Sequence, residues 1–359
     1  MAAIHQFVAG FARGDAISSE ALVLRDLFRS WGFDSDIFCE VRRILPELRK
    51  TTRDAAAYPA DCRPDDIVLL HLSIGSPVND IFRGLRCRKA LLYHNVTPPR
   101  YFEILQPEIA ANLARGLRDV RALAGAAEVN LADSGFNARE LEPYGYRDVR
   151  VLPLVLDLDK LTAAPDRGVL RALGDGKVNV LFVGRCVPNK KLEDLLSAFA
   201  VFQRTVEPHS RLIHAGSFAG TEAYHHLLVA TAREWHLREV WFKGSVSQAQ
   251  LNAYYAGAHL FLSMSEHEGF CIPLIESIVH DVPVLAYGAA AVPETLDGSG
   301  VLFEEKNYPL IAELMGRLVH DQSLRAAVLR GQRARLARYR QRDLGRELRE
   351  HLAPLLPRA

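Results

Sequence analysis

Two glutamates, Glu268 and Glu276, stand with seven residues between them in the stretch EHEGFCIPLIES at 266–277. The apolar run HLFLS ends just before them, and Gly269 lets the backbone turn tightly. This spacing leaves Glu268 in a loop and puts Glu276 on the helix that follows. Two acids so placed can address two parts of one ligand. The N–H groups of Gly269, Phe270, Cys271 and Ile272 can hold anionic or hydroxyl groups. The plain alternative is two surface acids in a turn and a helix.

A second stretch, GRCVPNKK at 184–191, follows an apolar run and precedes a helical pattern. It therefore falls at the carboxyl edge of a sheet, where open α/β folds bind ligands. From that turn Arg185 and Lys190 can both reach a phosphate group, and the amides of the next helix add partial positive charge. An ordinary basic loop would read the same way. In a third stretch, LLYHNVTPP at 91–99, His94 closes a buried strand and points into the same kind of cleft from the first half of the chain. A lone histidine at a strand end is more often structural than catalytic.

The elements that must position these residues alternate along the chain. Ala3–Val8, 36–39, 67–72, 90–93, 129–132 and 149–154 are predicted strands, with a helix at about 19–31 capped by Ser18 or Ser19 and stopped by Gly32. The runs IVLLHL and ALLYH are apolar on both faces, as strands between two helix layers are, so the sheet is predicted to be parallel. Residues 157–175 are charged, weakly periodic and read as a linker. A second series of strands starts at VNVLFVG and continues through RLIHAG, EVWFKG, HLFLS, VPVLAY and GVLF, with helices at about 192–203, 222–235, 247–256, 273–280 and 308–319. The predicted class is α/β, with two Rossmann-like, doubly wound parallel-sheet domains facing across a cleft. Their expected spans are 1–163, with a helix at about 340–359 packing back on it, and 164–339.

The chain has 359 residues, enough for two such domains. Its formal charge of +1 provides no pull toward nucleic acid. Five scattered cysteines without a C-x-x-C pair argue against a disulfide framework and for a reducing cytosol. Neither a signal peptide nor a membrane-spanning run is expected. From Arg325 to Arg358 there are ten arginines and three acids, read as a solvated helix pair or as a helix that returns to the first domain and meets an anionic partner. Two basic clusters, Arg42, Arg43, Arg49, Lys50 and Arg53, then Arg83, Arg86, Arg88 and Lys89, are assigned to helical stretches. The second is interleaved with Ile81, Phe82 and Leu85. They read either as solvated faces or as a peripheral contact with an anionic membrane surface.

Together these stretches resemble the retaining glycosyltransferases of family GT4, which have the GT-B fold. VLFVGRCVPNKKLEDLLSAF is similar to that family's phosphate-binding strand–loop–helix. SEHEGFCIPLIESIVHDVPVLAYGAAAVPETLDGSGVLF is similar to its E-x7-E block and the segment after it, and LADSGFNARELEPYGYRDVRVLPLVLDL to its approach to the linker. The resemblance implies that Arg185 and Lys190, from the loop opened by Gly184, bind the donor diphosphate. It implies that Glu268 contacts the transferred sugar, with the amides of the turn at Gly269, Phe270, Cys271 and Ile272, and that Glu276 bonds the ribose hydroxyls. His94 would approach the sugar, the Gly14 loop would come near the diphosphate or the acceptor, and KGSV at 243–246, with Gly244 and Val246, would line the base pocket.

The chain departs from the family at several positions. Gly14-Asp15-Ala16 stands where many relatives have two adjacent glycines. Cys271 and Lys191 each replace a common glycine, Lys191 offering a second cation beside Lys190, and His280-Asp281 replaces a small pair. The implied reaction is retaining transfer of a sugar from a UDP- or GDP-linked donor to a glycan or lipid-linked acceptor. With Arg185, Lys190 and a helix amino end to meet the leaving charge, it needs no metal or other cofactor. The strings Asp34/Asp36 and Asp157/Asp159 are not placed as metal ligands. A sugar-nucleotide epimerase of the same fold and a catalytically silent sugar-nucleotide-binding protein remain open.

Overall fold

The computed structural model describes residues 2–12, 15–44, 48–60 and 62–357. The chain divides into two compact units, Met1–Leu156 with Arg342–Ala359, and Asp157–Gln341.

The first unit is built on strands β1 (Ile4–Val8), β2 (Ile37–Cys39), β3 (Thr52–Asp54), β4 (Ile67–Leu72), β5 (Arg88–Tyr93), β6 (Val129–Ala132) and β7 (Arg150–Val151). They lie in the order β3-β2-β1-β4-β5-β6-β7 and every pair is parallel. The helices are α1 (Ala16–Ser30), α2 (Pro77–Gly84), α3 (Pro107–Ala122) and α4 (Gly135–Leu141). All six residues of β4 are buried, because helices on both faces leave neither side of the strand wet.

Several sequence-based expectations shift here. Helix α1 begins at Ala16, capped by Asp15, whose carboxylate accepts the Ser18 N–H at 2.8 Å; neither Ser18 nor Ser19 is the cap. Gly32 does end it, in the left-handed backbone that glycine tolerates best. The last strand shrinks to Arg150–Val151, since Pro153 has no N–H to give a ladder. Strand β3, TRD, lacks any apolar alternation and was not foreseen.

Neither basic cluster lies on a single helix. Arg53 lies on β3, paired with Asp36 at 3.1 Å, and Arg88 and Lys89 lie on β5. Phe82 and Leu85 face the core at 0% and 6% exposure, while Ile81 is half-buried.

The second unit opens with α5 (Leu158–Leu161) and α6 (Arg167–Leu173), where a linker was expected. Both pack on their own unit: the Asn252 side-chain amide donates to Lys160 O and Ala163 O at 3.1 and 2.9 Å, and Asp166, the cap of α6, donates its N–H to Ala249 O at 2.8 Å. The boundary accordingly falls at 156/157 and not at 163/164.

There follow β8 (Val178–Val183), α7 (Leu192–Thr205), β9 (Ser210–Ala215), α8 (Glu222–Glu234), β10 (Val240–Phe242), α9 (Gln248–Ala256), β11 (Leu260–Ser263), α10 (Ile272–Val279), β12 (Val284–Tyr287), α11 (Val292–Leu296), β13 (Val301–Phe303), α12 (Tyr308–His320) and α13 (Gln322–Arg340). The sheet order is β10-β9-β8-β11-β12-β13, again parallel throughout.

The chain then returns to the first unit as α14 (Leu344–Leu352). Leu348, Leu352 and Leu355 enter one apolar cluster with Ile4, Leu24, Phe28 and Ile67. The arginines of the tail are largely spent inside the protein: Arg325 on His259 O, Arg333 on Asp281, Arg335 on Thr295 O and Arg342 on Glu347. No helix among the described residues is long and apolar enough to cross a membrane, and the five cysteines are free.

Candidate active site in the second unit

Strands β8, β9 and β10 each run into a glycine at the carboxyl edge: Gly184, Gly216 and Gly244. Gly216 N–H donates to Gly244 O at 2.9 Å and Gly184 N–H to Ala215 O at 3.0 Å, so the three chain ends are stitched side by side. A Cβ on Gly216 would lie 1.8 Å from Gly184 O, which only glycine avoids. His214 donates its Nε2–H to the same Gly184 oxygen at 2.9 Å, and burial pushes the ring down to about 4, keeping it neutral.

Beyond this edge the loop of residues 184–191 meets the loop of 266–271. Asn189 joins them twice. Its side-chain amide donates to His267 O at 3.0 Å, and its carbonyl accepts Glu266 N–H at 2.9 Å. The two loops thus hold Lys190 in an ion pair with Glu268, whose residue is only 8% exposed. Lys191 does not add a second free cation there. Its ammonium is drawn to Glu193 and Glu266, at 3.4 and 3.8 Å, and Glu266 is also paired with Lys306 at 2.7 Å. Arg185 is exposed, and its guanidinium makes no hydrogen bond or ion pair among the described residues.

The helix amino end suited to an anion is that of α10, not that of α7. Helix α7 carries Glu193 and Asp194 in its first turn, and its Leu192 N–H is already taken by the Tyr224 hydroxyl oxygen at 3.0 Å. Helix α10 has no acid in its first turn. The N–H groups of Gly269, Phe270, Cys271 and Ile272 donate to no acceptor among the described residues. Aligned peptide dipoles make such a terminus attractive to negative charge. The turn is braced from behind: Thr295 donates its hydroxyl to Phe270 O, and Ala291 N–H donates to Glu268 O at 3.2 Å.

Lys191 and Cys271, the helix caps that stand in place of glycines, both adopt left-handed backbone, with φ of +53° and +67°. Each bears a strain of about 1–2 kcal/mol that glycine would not. Glu276 sits on α10 and accepts the Tyr255 hydroxyl at 2.7 Å. Burial raises its carboxyl above the ordinary range, against the Tyr255 hydrogen bond and the Lys160 charge. At the end of β10, Lys243 lies 3.9 Å over the Trp241 ring; Gly244 is buried and Val246 half-buried.

The remaining residues singled out in the sequence lie in the first unit, apart from Asp157 at the start of the second. Gly14 is outside the described residues. His94 is buried, and both its ring nitrogens are engaged, Nδ1 with Asp133 at 2.9 Å and Nε2 with His71 at 2.8 Å. Burial opposes a charge on this ring, but the carboxyls of Asp133 and Glu20 outweigh it and raise its pKa. Asp36 is held by Arg29 and Arg53, and Asp157 caps α5 by accepting the Lys160 N–H.

Asn189 and Gly216 escaped the sequence reading. The only signal for either was position: an asparagine inside the basic loop, and a glycine ending a buried strand.

Residues 171–335 match the family model described as glycosyl transferases group 1. O-antigen chain mannosyltransferase B of Escherichia coli is 27% identical over 147 residues, which are 40% of this chain and 38% of that relative, so the likeness spans less than half of either. Solved structures match nearly end to end. A glycosyltransferase from Rickettsia africae superimposes with a TM-score of 0.75 at 13% identity, over 99% of this chain and 100% of that one. Sucrose-phosphate synthase from Thermosynechococcus elongatus does so with 0.74 at 15%, over 98% and 99%. HepE of Anabaena, in complex with UDP and glucose, gives 0.73 at 15%, over 98% and 100%. The match to the glycosyl transferases group 1 thus covers residues 171–335, a little under half of the chain, and the two parallel-sheet units have the fold of the GT-B glycosyltransferases.

Proposed function

We propose that the protein transfers a sugar, with retention of configuration, from a UDP- or GDP-linked donor to a glycan or lipid-linked acceptor. The observation that carries this reading is the Lys190–Glu268 pair set beside the unspent N–H groups of residues 269–272. A nucleotide diphosphate leaves with growing negative charge while the anomeric carbon becomes cation-like. Lys190 and the exposed Arg185 take the diphosphate charge, and the α10 amides with the Glu268 carboxylate face the sugar. In this scheme the donor is held without calling on a metal ion. Glu276, its Oε2 fixed by Tyr255, presents its other oxygen to the ribose hydroxyls. Retention follows from acceptor attack on the face the leaving group departs from, with the departing phosphate as base. The binding of UDP and glucose described for HepE supports a nucleoside-diphosphate donor here.

The test is a thermal-shift screen against UDP, GDP, ADP and their sugars, followed by donor turnover of Arg185→Ala and Lys190→Ala. A true donor raises the melting point. Each variant should lose about 10²–10³-fold in kcat, the effect of removing one oriented charge donor. Near-normal turnover in both would overturn the assignment. Conversion of the donor sugar without release of nucleoside diphosphate would show an epimerase instead.

A further inference from the structure

The carboxylate of a glutamate turns easily, because its last torsion joins a tetrahedral to a planar carbon and has no sharp preferred angle. Glu276 of α10 is therefore not aimed by its own side chain. Its carboxylate has a single hydrogen bond among the described residues, from the Tyr255 hydroxyl to Oε2 at 2.7 Å. Its Oε1 has none there, and the residue is half-buried. The neighbouring Ser277 gives it no proton, since the Ser277 hydroxyl donates to Pro273 O at 2.7 Å. What aims the carboxylate is Tyr255.

Tyr255 itself has little freedom. It stands on α9 at 0% exposure. The His280 ring lies parallel to it, with centroids 5.1 Å and planes 6° apart, and the Phe261 ring of β11 stacks at 6.4 Å and 25°. His280 is one of the two residues that stand in place of a small pair just past α10. Burial pushes the Tyr255 phenol well above its ordinary value, and the Glu276 charge adds to this, so the hydroxyl keeps its proton and donates it.

We propose that Tyr255 is a positioning residue for donor binding: its hydroxyl, on a ring set by His280 and Phe261, holds the Glu276 carboxylate with Oε1 toward a ribose hydroxyl, and so makes the site select ribonucleotides over deoxyribonucleotides. This rests on the reading above that Glu276 meets the ribose. A hydroxyl that donates to a charged oxygen forms the stronger class of hydrogen bond. A deoxy ligand leaves that oxygen facing a bare carbon, and a carboxylate pinned from behind cannot swing away to find another donor. Released from Tyr255, the carboxylate turns to water and the penalty on the deoxy ligand falls.

The experiment is a double-mutant cycle on the intact chain: wild type, Tyr255→Phe, Glu276→Ala and the two combined. Each is titrated with UDP or GDP, whichever raises the melting point, and with its 2′-deoxy and 3′-deoxy forms. Wild type should prefer the ribonucleotide to at least one deoxy form by about tenfold or more, the scale of one hydrogen bond to a charged group. Tyr255→Phe should cut that preference by about threefold or more where Glu276 is present and leave it unchanged in the Glu276→Ala chain. An equal change in both backgrounds, or none in either, overturns the inference, because packing alone acts without Glu276. Should Tyr255→Phe fail to fold, His280→Ala loosens the ring and keeps the hydroxyl; the preference should fall there too, and its full retention overturns the inference. A different failure marks the underlying reading: wild type that binds the nucleotide without preference, or Glu276→Ala that keeps the wild-type preference, would show that Glu276 does not meet the ribose.

Discussion

The side-chain amide of Asn189 donates to the carbonyl oxygen of His267 across 3.0 Å, and this bond sets the distance between the two loops that carry Lys190 and Glu268. Asn189→Ala leaves a buried carbonyl unpaired at a cost of about 1–3 kcal/mol. The loops should then drift apart. Denaturant titration should show that loss, and kcat/KM for the donor should fall at least tenfold at temperatures where the variant is fully folded. A variant destabilised to this extent with unaltered kcat/KM would show that Asn189 supports the fold but not the site.

Gly216→Ala should be among the least tolerated substitutions in the second unit. The added methyl would sit 1.8 Å from Gly184 O, and both partners are backbone, so no side chain can swing away. The carboxyl end of β8 must move, taking the loop of Arg185 and Lys190 with it. A loss of donor-induced thermal shift should accompany a lowered melting point.

Lys191 offers a clean measure of backbone strain. Lys191→Gly and Lys191→Ala both delete the ammonium and its long contacts to Glu193 and Glu266. They differ in what the φ of +53° costs them. The glycine variant should be the more stable by about 1 kcal/mol, less the entropy that glycine loses on folding. Equal stabilities by urea denaturation would mean that the cap relaxes when the side chain goes.

His214 should make the fold acid-sensitive. Burial lowers its pKa from 6.5 to about 4, so between those values the unfolded chain holds a proton that the folded chain refuses. Stability contributed by the neutral ring is complete above about pH 6.5 and falls as pH drops toward 4. The loss is about 2 kcal/mol at pH 5. Wild type should therefore lose about 2 kcal/mol more than His214→Gln between pH 7 and pH 5 in matched denaturant titrations. Identical pH profiles would refute the assignment.

Mg²⁺ or Mn²⁺ added to the assay should leave donor turnover unchanged. Lys190, Arg185 and the α10 amides already meet the diphosphate charge in the proposed scheme. A severalfold rise with either ion would show that the donor is bound as a metal complex.

Much of the fold was legible because parallel strands under two helix layers are apolar on both faces, and IVLLHL, VNVLFV and HLFLS carry that mark plainly. Strand β3 carries none, since an edge position asks little of TRD. The linker was misread because α5 and α6 are short and charged, and what holds them is α9, far along the chain, through Asn252 and the Ala249 carbonyl. At the site, residue types announced Lys190 and Glu268. Which helix end was free to meet an anion depended on Tyr224 occupying the amide of Leu192, a long-range contact that no local pattern reports. The same holds for His94, whose setting is made by Gln6, Glu20, His71 and Asp133 from four other segments.

Because Leu348, Leu352 and Leu355 fill the cluster around Ile4, the half of the protein that leaves the ribosome first is the half completed last. During synthesis its apolar groove must wait while the whole of 157–341 is made, although that intervening unit closes its own sheet without help. The nascent amino-terminal half therefore exposes greasy surface for many seconds at ordinary elongation rates, a natural point of engagement for a chaperone. A stop codon placed ahead of Leu348 would be punished as a folding defect of the first unit.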